Sequence, residues 1–129
     1  MTETTIRRSF PADRGAPGVA RGAVREFLRG RGADPARLSD VLLAVSEVVT
    51  NCVVHGYRDR PAGNVALEAS HTGDHLVLSV ADQGMGMSPR LDSPGLGLGL
   101  PLVGRVADRV DIKAADGGGT LVRMSFSLD

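Results

Sequence analysis

The chain has 129 residues, of which 42% are hydrophobic and 23% are charged. This length predicts one domain, spanning 1–129, with enough chain to bury an independent core. Fifteen basic and fifteen acidic residues cancel, so the net charge gives no general reason to bind nucleic acid or a membrane. Aromatic residues make up 3%, without any Trp, which leaves no stacking platform for single-stranded nucleic acid.

The single cysteine, Cys52, excludes an intramolecular disulfide and a cysteine-based zinc site. We expect it to pack as a small hydrophobic residue. No apolar stretch approaches the roughly 18 residues that a membrane span needs. The first ten residues, MTETTIRRSF, lack the apolar region of a signal peptide. The sequence therefore predicts a soluble, cytoplasmic protein.

The first segments predict an edge strand followed by an amphipathic helix. Residues 3–10 alternate loosely between apolar and polar side chains, which is typical of a short strand. Arg21, Arg25 and Arg29 repeat every four residues in the next segment, and such a ladder is typical of a solvated face or of a docking surface for an acidic partner. A helix is predicted over 18–31 from apolar residues at helical spacing: Val19, Ala20, Ala23, Val24 and Phe27.

A longer helix is predicted from the Asp34-Pro35 helix start to about His55. Within it, Glu47, Asn51 and His55 repeat every four residues. Each such step turns about 40° around the helix axis, so the three residues share one stripe. By itself this stripe is also typical of the polar outer face of an ordinary amphipathic helix. The opposite side carries apolar residues: Val41, Val45, Val49 and Cys52.

The remaining strands are predicted from alternation with period two. Residues 65–71 and 75–82 flank Thr72-Gly73-Asp74, which predicts a hairpin. Residues 110–115 and 120–127 predict a second pair of strands, joined by a glycine-rich connection.

Two glycine-rich loops lie between these hairpins. Asp82 ends a strand and is followed by Gly84 and Gly86. A carboxylate there can accept a hydrogen bond from an exocyclic amine such as that of adenine, although a turn-capping aspartate has the same pattern.

The second loop, Gly95-Leu96-Gly97-Leu98-Gly99, opens an apolar helical run, LPLVGRVADRV. Alternate glycines before a helix let backbone N–H groups approach a phosphate, and a tight turn has the same composition. No Lys-Ser or Lys-Thr follows, so the loop does not match a Walker motif.

Glu47 and Asn51 have separate chemical roles open to them. A carboxylate can take a proton from a hydroxyl nucleophile. An amide oxygen suits Mg²⁺, which keeps several waters and bridges to phosphates.

Together, the motifs and their order resemble the GHKL ATPase superfamily of gyrase, heat-shock chaperones, histidine kinases and mismatch-repair proteins. The order is E-x3-N-x3-H-G on a helix, D-x-G-x-G after a strand, G-x-G-x-G before a helix, and G-G-T in a hairpin. The run SEVVTNCVVHGY looks like the anti-sigma factor serine kinases that control bacterial sporulation and general stress. The resemblance implies a Bergerat-type α/β sandwich, with a mixed, mainly antiparallel sheet covered by helices.

The resemblance also implies the roles of individual residues. Glu47 would be the general base, Asn51 would hold Mg²⁺, and Asp82 would bind the adenine amino group of ATP or ADP. Arg21 would contact an anti-anti-sigma protein, the serine phospho-acceptor. Further nucleotide contacts would come from one helix residue, the loops and the last hairpin: His55, Gly84, Gly86, Gly95, Gly97, Gly99 and Thr120.

The sequence departs from the pattern of this family at the ATP lid, the segment that covers the bound nucleotide. Only eight residues, MSPRLDSP, separate Gly86 from Gly95, whereas better-known kinases of this family carry a longer lid. A short lid excludes less water, which weakens the case for phosphoryl transfer.

The leading hypothesis is an anti-sigma factor that binds a sigma factor and phosphorylates an anti-anti-sigma protein. The alternative is a nucleotide-binding module of the same fold that binds a partner without kinase turnover. A histidine kinase fragment fits less well because no phospho-acceptor helix hairpin is present. The family further suggests a homodimer.

Overall fold

The computed structural model describes residues 3–56, 63–82, 99–114 and 119–128. Five strands and three α-helices occur within these ranges, with one π-helical turn, Cys52–Gly56, after the second helix. In chain order the elements are β1 (Thr4–Pro11), α1 (Ala16–Leu28), α2 (Pro35–Asn51), β2 (Asn64–Thr72), β3 (His75–Asp82), α3 (Gly99–Val106), β4 (Arg109–Ala114) and β5 (Thr120–Ser127).

The strands form one sheet in the order β1-β2-β3-β5-β4, with all four pairings antiparallel. The predicted two-layer α/β fold and the edge position of β1 are confirmed. The sheet was expected to be mixed, and its described pairings are wholly antiparallel instead. The reason is the position of β5. Strands β3 and β4 run in the same direction, but β5 lies between them and pairs antiparallel with both.

Alternation along the strands divides the sheet into two faces. Every second residue of β2, β3 and β5 points towards the helices and is buried. The largest of these side chains have at most 1% of their surface exposed: Leu67, Leu76, Leu78, Met124 and Phe126. The core therefore lies between the sheet and the helices. None of the helices in the described ranges is long and apolar enough to cross a membrane.

Helix α2 is the central helix of the covering layer and packs against both α1 and α3. Asp34 caps its start, since its Oδ2 accepts from the backbone N–H of Ala36 at 3.1 Å, and Pro35 occupies the first turn. The predicted apolar face is confirmed, because Val41, Val45 and their neighbours on that face are fully buried. This burial fixes which side of α2 is left for other contacts.

The two predicted helices differ from the observed ones at their ends. Helix α1 stops at Leu28, where Arg29 already has extended backbone dihedrals and Gly30 has a φ of 76°. Val19 was expected on the apolar face, but 53% of its surface is exposed. The buried stripe passes through Ala16, Ala20, Val24 and Phe27, which places Val19 beside the stripe rather than on it.

Helix α2 does not continue as a regular helix to His55. It ends at Asn51, and residues 52–56 form a π-helical turn. The wider π turn changes the angle at which later side chains leave the axis, and such turns are frequent at functional sites. The predicted four-residue stripe therefore holds for Glu47 and Asn51 within the α-helix, whereas His55 lies beyond the change in helical pitch.

Candidate functional site

Asp82 and Thr120 lie side by side where β3 ends and β5 begins. Both occupy positions that point towards the helices, and they are 4% and 5% exposed. The backbone N–H of Thr120 donates a hydrogen bond to Oδ1 of Asp82 over 3.2 Å. A buried carboxylate is tolerated only where hydrogen bonds replace its hydration. The two strands therefore supply both the carboxylate and one of its donors.

Gly119 closes tightly against Asp82. Its φ is +87°, a left-handed conformation that side chains other than glycine rarely adopt. A Cβ at this position would lie 2.0 Å from the backbone oxygen of Asp82 and 2.9 Å from its Oδ1. Sequence reasoning included this glycine in the G-G-T pattern without giving it a role. The glycine run before Thr120 was the available signal.

Cys52 lies in the helix layer under the influence of the same carboxylate. It is the first residue of the π turn and is 5% exposed, so the expected burial is confirmed. Its surroundings are not purely apolar, however, because the negative charge of Asp82 acts on the thiol. Burial, followed by this charge, raises the pKa of the Cys52 thiol far above its usual value.

Two buried polar atoms near this cluster have no hydrogen-bond partner within the described structure. They are Nδ2 of Asn51, the residue before Cys52, and Oγ1 of Thr120. A buried polar group without a partner costs about 1–3 kcal/mol, so such groups are uncommon unless a ligand or water completes them. A donor amide and a hydroxyl around a fixed carboxylate fit a polar ligand such as a nucleotide.

Glu47 lies one helical turn before Asn51 and is partly exposed. Its neighbour Ser46 accepts a hydrogen bond from Nη1 of Arg21 over 2.7 Å. This bond links α1 to α2 beside Glu47. Arg21 is partly buried, whereas Arg25 and Arg29 are exposed, so the predicted arginine ladder does not form one uniform solvated face.

Several predicted site residues cannot be placed. Gly84, Gly86, Gly95 and Gly97 lie outside the described residues, as does the side chain of His55. Gly99 is the first residue of α3, so the glycine run leads into a helix as predicted. The roles of these residues stay predictions. In the described ranges, His, Cys, Asp and Glu side chains form no cluster of three that could hold a metal ion.

The opposite face of the sheet carries grooves of a different character. One of about 370 Å³ is lined by residues including Arg7, Glu68 and Leu121. Arg7 and Glu68 form an ion pair in this groove, with Nε of Arg7 2.9 Å from Oε2 of Glu68. Both side chains are well exposed to solvent. Such a groove offers little fixed recognition. The cluster around Asp82 is the better candidate because its polar groups are buried and fixed.

Comparison with known proteins identifies the class of domain to which this fold and this site belong. The chain belongs to the family of the histidine kinase-like ATPase domain, whose model matches residues 10–126. The residues around Asp82 fall within this match. Membership of an ATPase domain family implies that the chain binds ATP.

Relatives of this chain carry the name anti-sigma F factor, among them the following two. The protein of Thermoanaerobacter sp. (strain X514) is 32% identical over 117 residues, which cover 82% of this chain and 81% of that protein. The protein of Clostridium beijerinckii is 29% identical over 133 residues, which cover 95% and 93%. The similarity therefore extends over about four fifths or more of each protein.

Two solved structures share the fold. The crystal structure of the RsbU and RsbW domains of a Mycobacterium tuberculosis protein matches with a TM-score of 0.76 and 26% identity. The match covers 97% of this chain and 32% of that one, so this chain spans about a third of its length. The SiaB-SiaC complex of Pseudomonas aeruginosa matches with a TM-score of 0.68 at 15% identity, which supports the fold alone.

Replacing Gly119 by alanine is expected to destabilise the protein more than the same change at Gly32. Both glycines have positive φ, +87° and +78°, but nothing lies within 4 Å of a Cβ added at Gly32. Gly32→Ala therefore measures the conformational penalty alone, about 1–2 kcal/mol. Gly119→Ala adds overlap with the backbone of Asp82, which we expect to cost roughly a further 1–3 kcal/mol.

Urea unfolding of both variants measures this difference. Gly119→Ala should also weaken ADP binding, whereas Gly32→Ala should leave it unchanged. Equal losses of unfolding free energy in the two variants would show that the contact between Gly119 and Asp82 does not constrain the site.

Proposed function

We propose that this protein is a cytoplasmic anti-sigma factor with ATP-dependent serine kinase activity. It binds a sigma factor and phosphorylates an anti-anti-sigma protein. The observation that carries the proposal is the buried pair of Asp82 and Thr120, together with buried polar atoms of Asn51 and Thr120 that have no partner among the described residues. The names of the relatives supply the regulatory context.

Adenine is read by Asp82 in this proposal. The carboxylate is held by the N–H of Thr120, so its acceptor orbitals have a fixed direction before the ligand arrives. A fixed acceptor loses less entropy on binding than a mobile one. The hydroxyl of Thr120, which has no partner among the described residues, completes the polar lining on the same side.

In this proposal, Asn51 would hold Mg²⁺ and the start of α3 would bind the phosphates. Asn51 contributes its side-chain amide, with the oxygen suited to Mg²⁺. When bound, Mg²⁺ would neutralise charge on the phosphates and so favour transfer of the terminal group. The glycines Gly95, Gly97 and Gly99 are assigned to the phosphates, since they lead into the N-terminus of α3.

Phosphoryl transfer requires a base for the acceptor hydroxyl, and we assign this role to Glu47. The serine oxygen of the anti-anti-sigma protein bonds to the γ-phosphorus, the bond from that phosphorus to the β–γ bridging oxygen breaks, and ADP leaves. The serine proton passes to the Glu47 carboxylate. Partial exposure of Glu47 supports this assignment because a macromolecular substrate has to reach it.

Arg21 is proposed to contact the anti-anti-sigma protein. It leaves α1 towards Ser46, the residue before Glu47, so a partner bound there lies next to the proposed base. Being partly ordered by that bond, the guanidinium loses less rotamer freedom on binding than a fully mobile side chain does. We further propose that the protein forms a homodimer, as the resemblance to its family suggests.

The second candidate is a nucleotide-binding module that sequesters a partner without kinase turnover. It is favoured by the eight residues between Gly86 and Gly95, which allow only a short lid. In that case ATP is a structural ligand, and Glu47 has no proton to accept.

Replacing Glu47 by glutamine separates the two candidates. Glu47→Gln keeps the side chain's size but removes its basicity, so phosphoryl transfer should fall by about 10²-fold or more. ATP affinity should stay within about 3-fold, because removing a base leaves ground-state binding intact. The measurement is transfer of labelled phosphate to a candidate anti-anti-sigma protein, with ATP affinity measured in parallel.

Three outcomes of this assay are informative. Transfer by the wild type that persists in Glu47→Gln would remove Glu47 from the role of base. Measurable ATP affinity without transfer by the wild type would select the binding module. Absence of ATP affinity in the wild type would contradict the proposed nucleotide site.

Replacing Arg21 by alanine should weaken binding of the anti-anti-sigma protein by about 10-fold or more, as expected for an arginine at the centre of an interface. Arg25→Ala, one helical turn away and exposed, should change this affinity by less than about 2-fold. Titration calorimetry with the partner measures both.

Ser46→Ala is the matched control for the internal bond, because it removes the acceptor and keeps the arginine. If Ser46→Ala weakened partner binding as much as Arg21→Ala does, Arg21 would act by fixing α1 against α2 and would not be a partner contact.

A further inference from the structure

Arg37 lies in the first turn of α2, at the opposite end of that helix from Asn51. Its guanidinium donates hydrogen bonds to separate parts of the chain. Nε donates to the backbone oxygen of Ser127 over 2.8 Å, and Nη1 donates to the backbone oxygen of Val106 over 2.9 Å. Nη1 also donates to Oδ2 of Asp40 over 3.0 Å, within α2 itself. One side chain therefore joins the start of α2 to the last residue of α3 and to the end of β5.

Asp108 completes this junction from the connection between α3 and β4. Its Oδ1 accepts from Nη2 of Arg37 over 3.3 Å, and its Oδ2 accepts from the backbone N–H of Ser127 over 2.6 Å. The end of α3 is thus bound to β5 both through Arg37 and through the residues that follow the helix. We name the group the Arg37 clamp, and it comprises Arg37, Asp40, Val106, Asp108 and Ser127.

The clamp differs from the ion pairs on the surface. The Arg37 side chain is 20% exposed, whereas that of Arg7, which pairs with Glu68, is 77% exposed. The guanidinium also lies over the ring of Phe126, 5.5 Å from its centroid. A buried guanidinium needs acceptors for its N–H groups, and its planar fork fixes the directions in which they lie. The clamp therefore sets a defined geometry, which an exposed ion pair does not.

Helix α3 depends on such contacts for its position. It has eight residues, which makes it about 12 Å long, and a helix of this length is not stable without tertiary packing. The fully buried Val103 fixes which side of α3 faces the core. The bond from Arg37 to the Val106 carbonyl holds the end of the helix, where a cation is also favoured by the helix dipole. Because a helix is stiff along its axis, a shift of the Val106 end also moves the Gly99 end.

The groups proposed for the metal and the phosphates lie at the other ends of the two clamped helices. Asn51 ends α2, and Gly99 begins α3. The relative position of these two ends determines whether one nucleotide can contact both. The groups proposed for adenine, Asp82 and Thr120, belong to β3 and β5 instead. A change in the clamp therefore acts on the phosphates and leaves the base contacts in place.

We propose that Arg37 is a positioning residue for phosphate binding, whose hydrogen bonds to the ends of α3 and β5 hold the start of α3 where it meets the phosphates of a bound nucleotide. This inference rests on the proposed function, in which the start of α3 binds the phosphates. Arg37 touches no part of the nucleotide and acts through α3. The alternative is that Arg37 only stabilises the fold, in which case its loss affects base and phosphate binding alike.

The experiment measures ADP and adenosine affinities by titration calorimetry, since adenosine carries the same base and ribose without phosphates. Arg37→Met keeps an apolar stem and removes every donor. Asp40→Asn keeps an acceptor on α2, removes its charge, and spares the bonds from Arg37 to α3 and β5. Val24→Ala removes buried methyl groups from α1, which carries no clamp residue, and so lowers stability without changing the clamp.

We expect Arg37→Met to narrow the preference for ADP over adenosine by about 5-fold or more, as for the loss of an anion's interaction with a helix N-terminus. Its affinity for adenosine should stay within about 2-fold of the wild-type value. Asp40→Asn and Val24→Ala should each keep the preference within about 2-fold of that of the wild type.

Three results would overturn the inference: an unchanged preference in Arg37→Met, equal weakening of ADP and adenosine in that variant, or an equally narrowed preference in Val24→Ala. The last two would show that Arg37 acts through stability alone. A wild type that binds ADP no more tightly than adenosine would instead refute the proposed phosphate site, and this failure is visible before any variant is compared.

A measurement on the wild-type protein covers the case in which Arg37→Met folds poorly. Coupling between two sites is reciprocal, so bound phosphates should in turn strengthen the clamp. Hydrogen exchange of the Arg37 Nε–H, followed by NMR, reports on its bond to Ser127. Each ligand is added at the same multiple of its dissociation constant, so that both stabilise the folded state equally.

We expect ADP to slow exchange of the Arg37 Nε–H by about 5-fold or more relative to adenosine. The control is the Nε–H of Arg31, which donates to the backbone oxygen of Phe27 over 2.6 Å at the end of α1. Its exchange should be the same with either ligand. Exchange at Arg37 that is equal with ADP and with adenosine, or that changes no more than at Arg31, would overturn the inference.

Discussion

The candidate site depends on one interaction, the burial of the Asp82 carboxylate at the end of the sheet. A charged group with 4% exposure requires donors in place of water. The start of β5 supplies the Thr120 N–H, and Gly119 leaves the space for the close approach of the two strands. The buried Cys52 of the π turn lies on the helix side, where the charge of Asp82 contributes to raising the pKa of its thiol. This single requirement brings the helix layer and two strands together at one end of the sheet, where Asn51 also lies.

The fold could largely be predicted from local patterns, because each element buries one face. The sequence shows both the alternation of apolar and polar residues in β2, β3 and β5 and the apolar face of α2. Features that depend on how the elements assemble could not be predicted in this way. The insertion of β5 between β3 and β4, which makes every described pairing antiparallel, leaves no local signal. The π turn after Asn51 also depends on packing, since residues 52–56 carry no helix-breaking residue before Gly56.

The site residues likewise divide into those that sequence motifs predict and those that only the assembled structure reveals. Asp82, Asn51 and Thr120 were assigned through motifs whose spacing is visible in the chain, and the structure brings Asp82 and Thr120 into direct contact across 38 positions. Gly119 was not assigned a role, because its importance lies in a close approach to Asp82 that no spacing expresses. A glycine in a glycine run has an ordinary local explanation. Only its neighbour Asp82 distinguishes Gly119 from a turn residue.

The central claim is that the nucleotide binds between the end of α2 and the Asp82–Thr120 end of the sheet, rather than in the grooves on the sheet's outer face. Titration of isotope-labelled protein with ADP, followed by the backbone amide signals in NMR spectra, tests this most directly. The account predicts the largest shifts, among the described residues, at Asn51, Cys52, Asp82, Gly119 and Thr120, with Arg7 and Glu68 nearly unchanged. The largest shifts at those outer-face residues, with the Asp82 cluster unaffected, would contradict it.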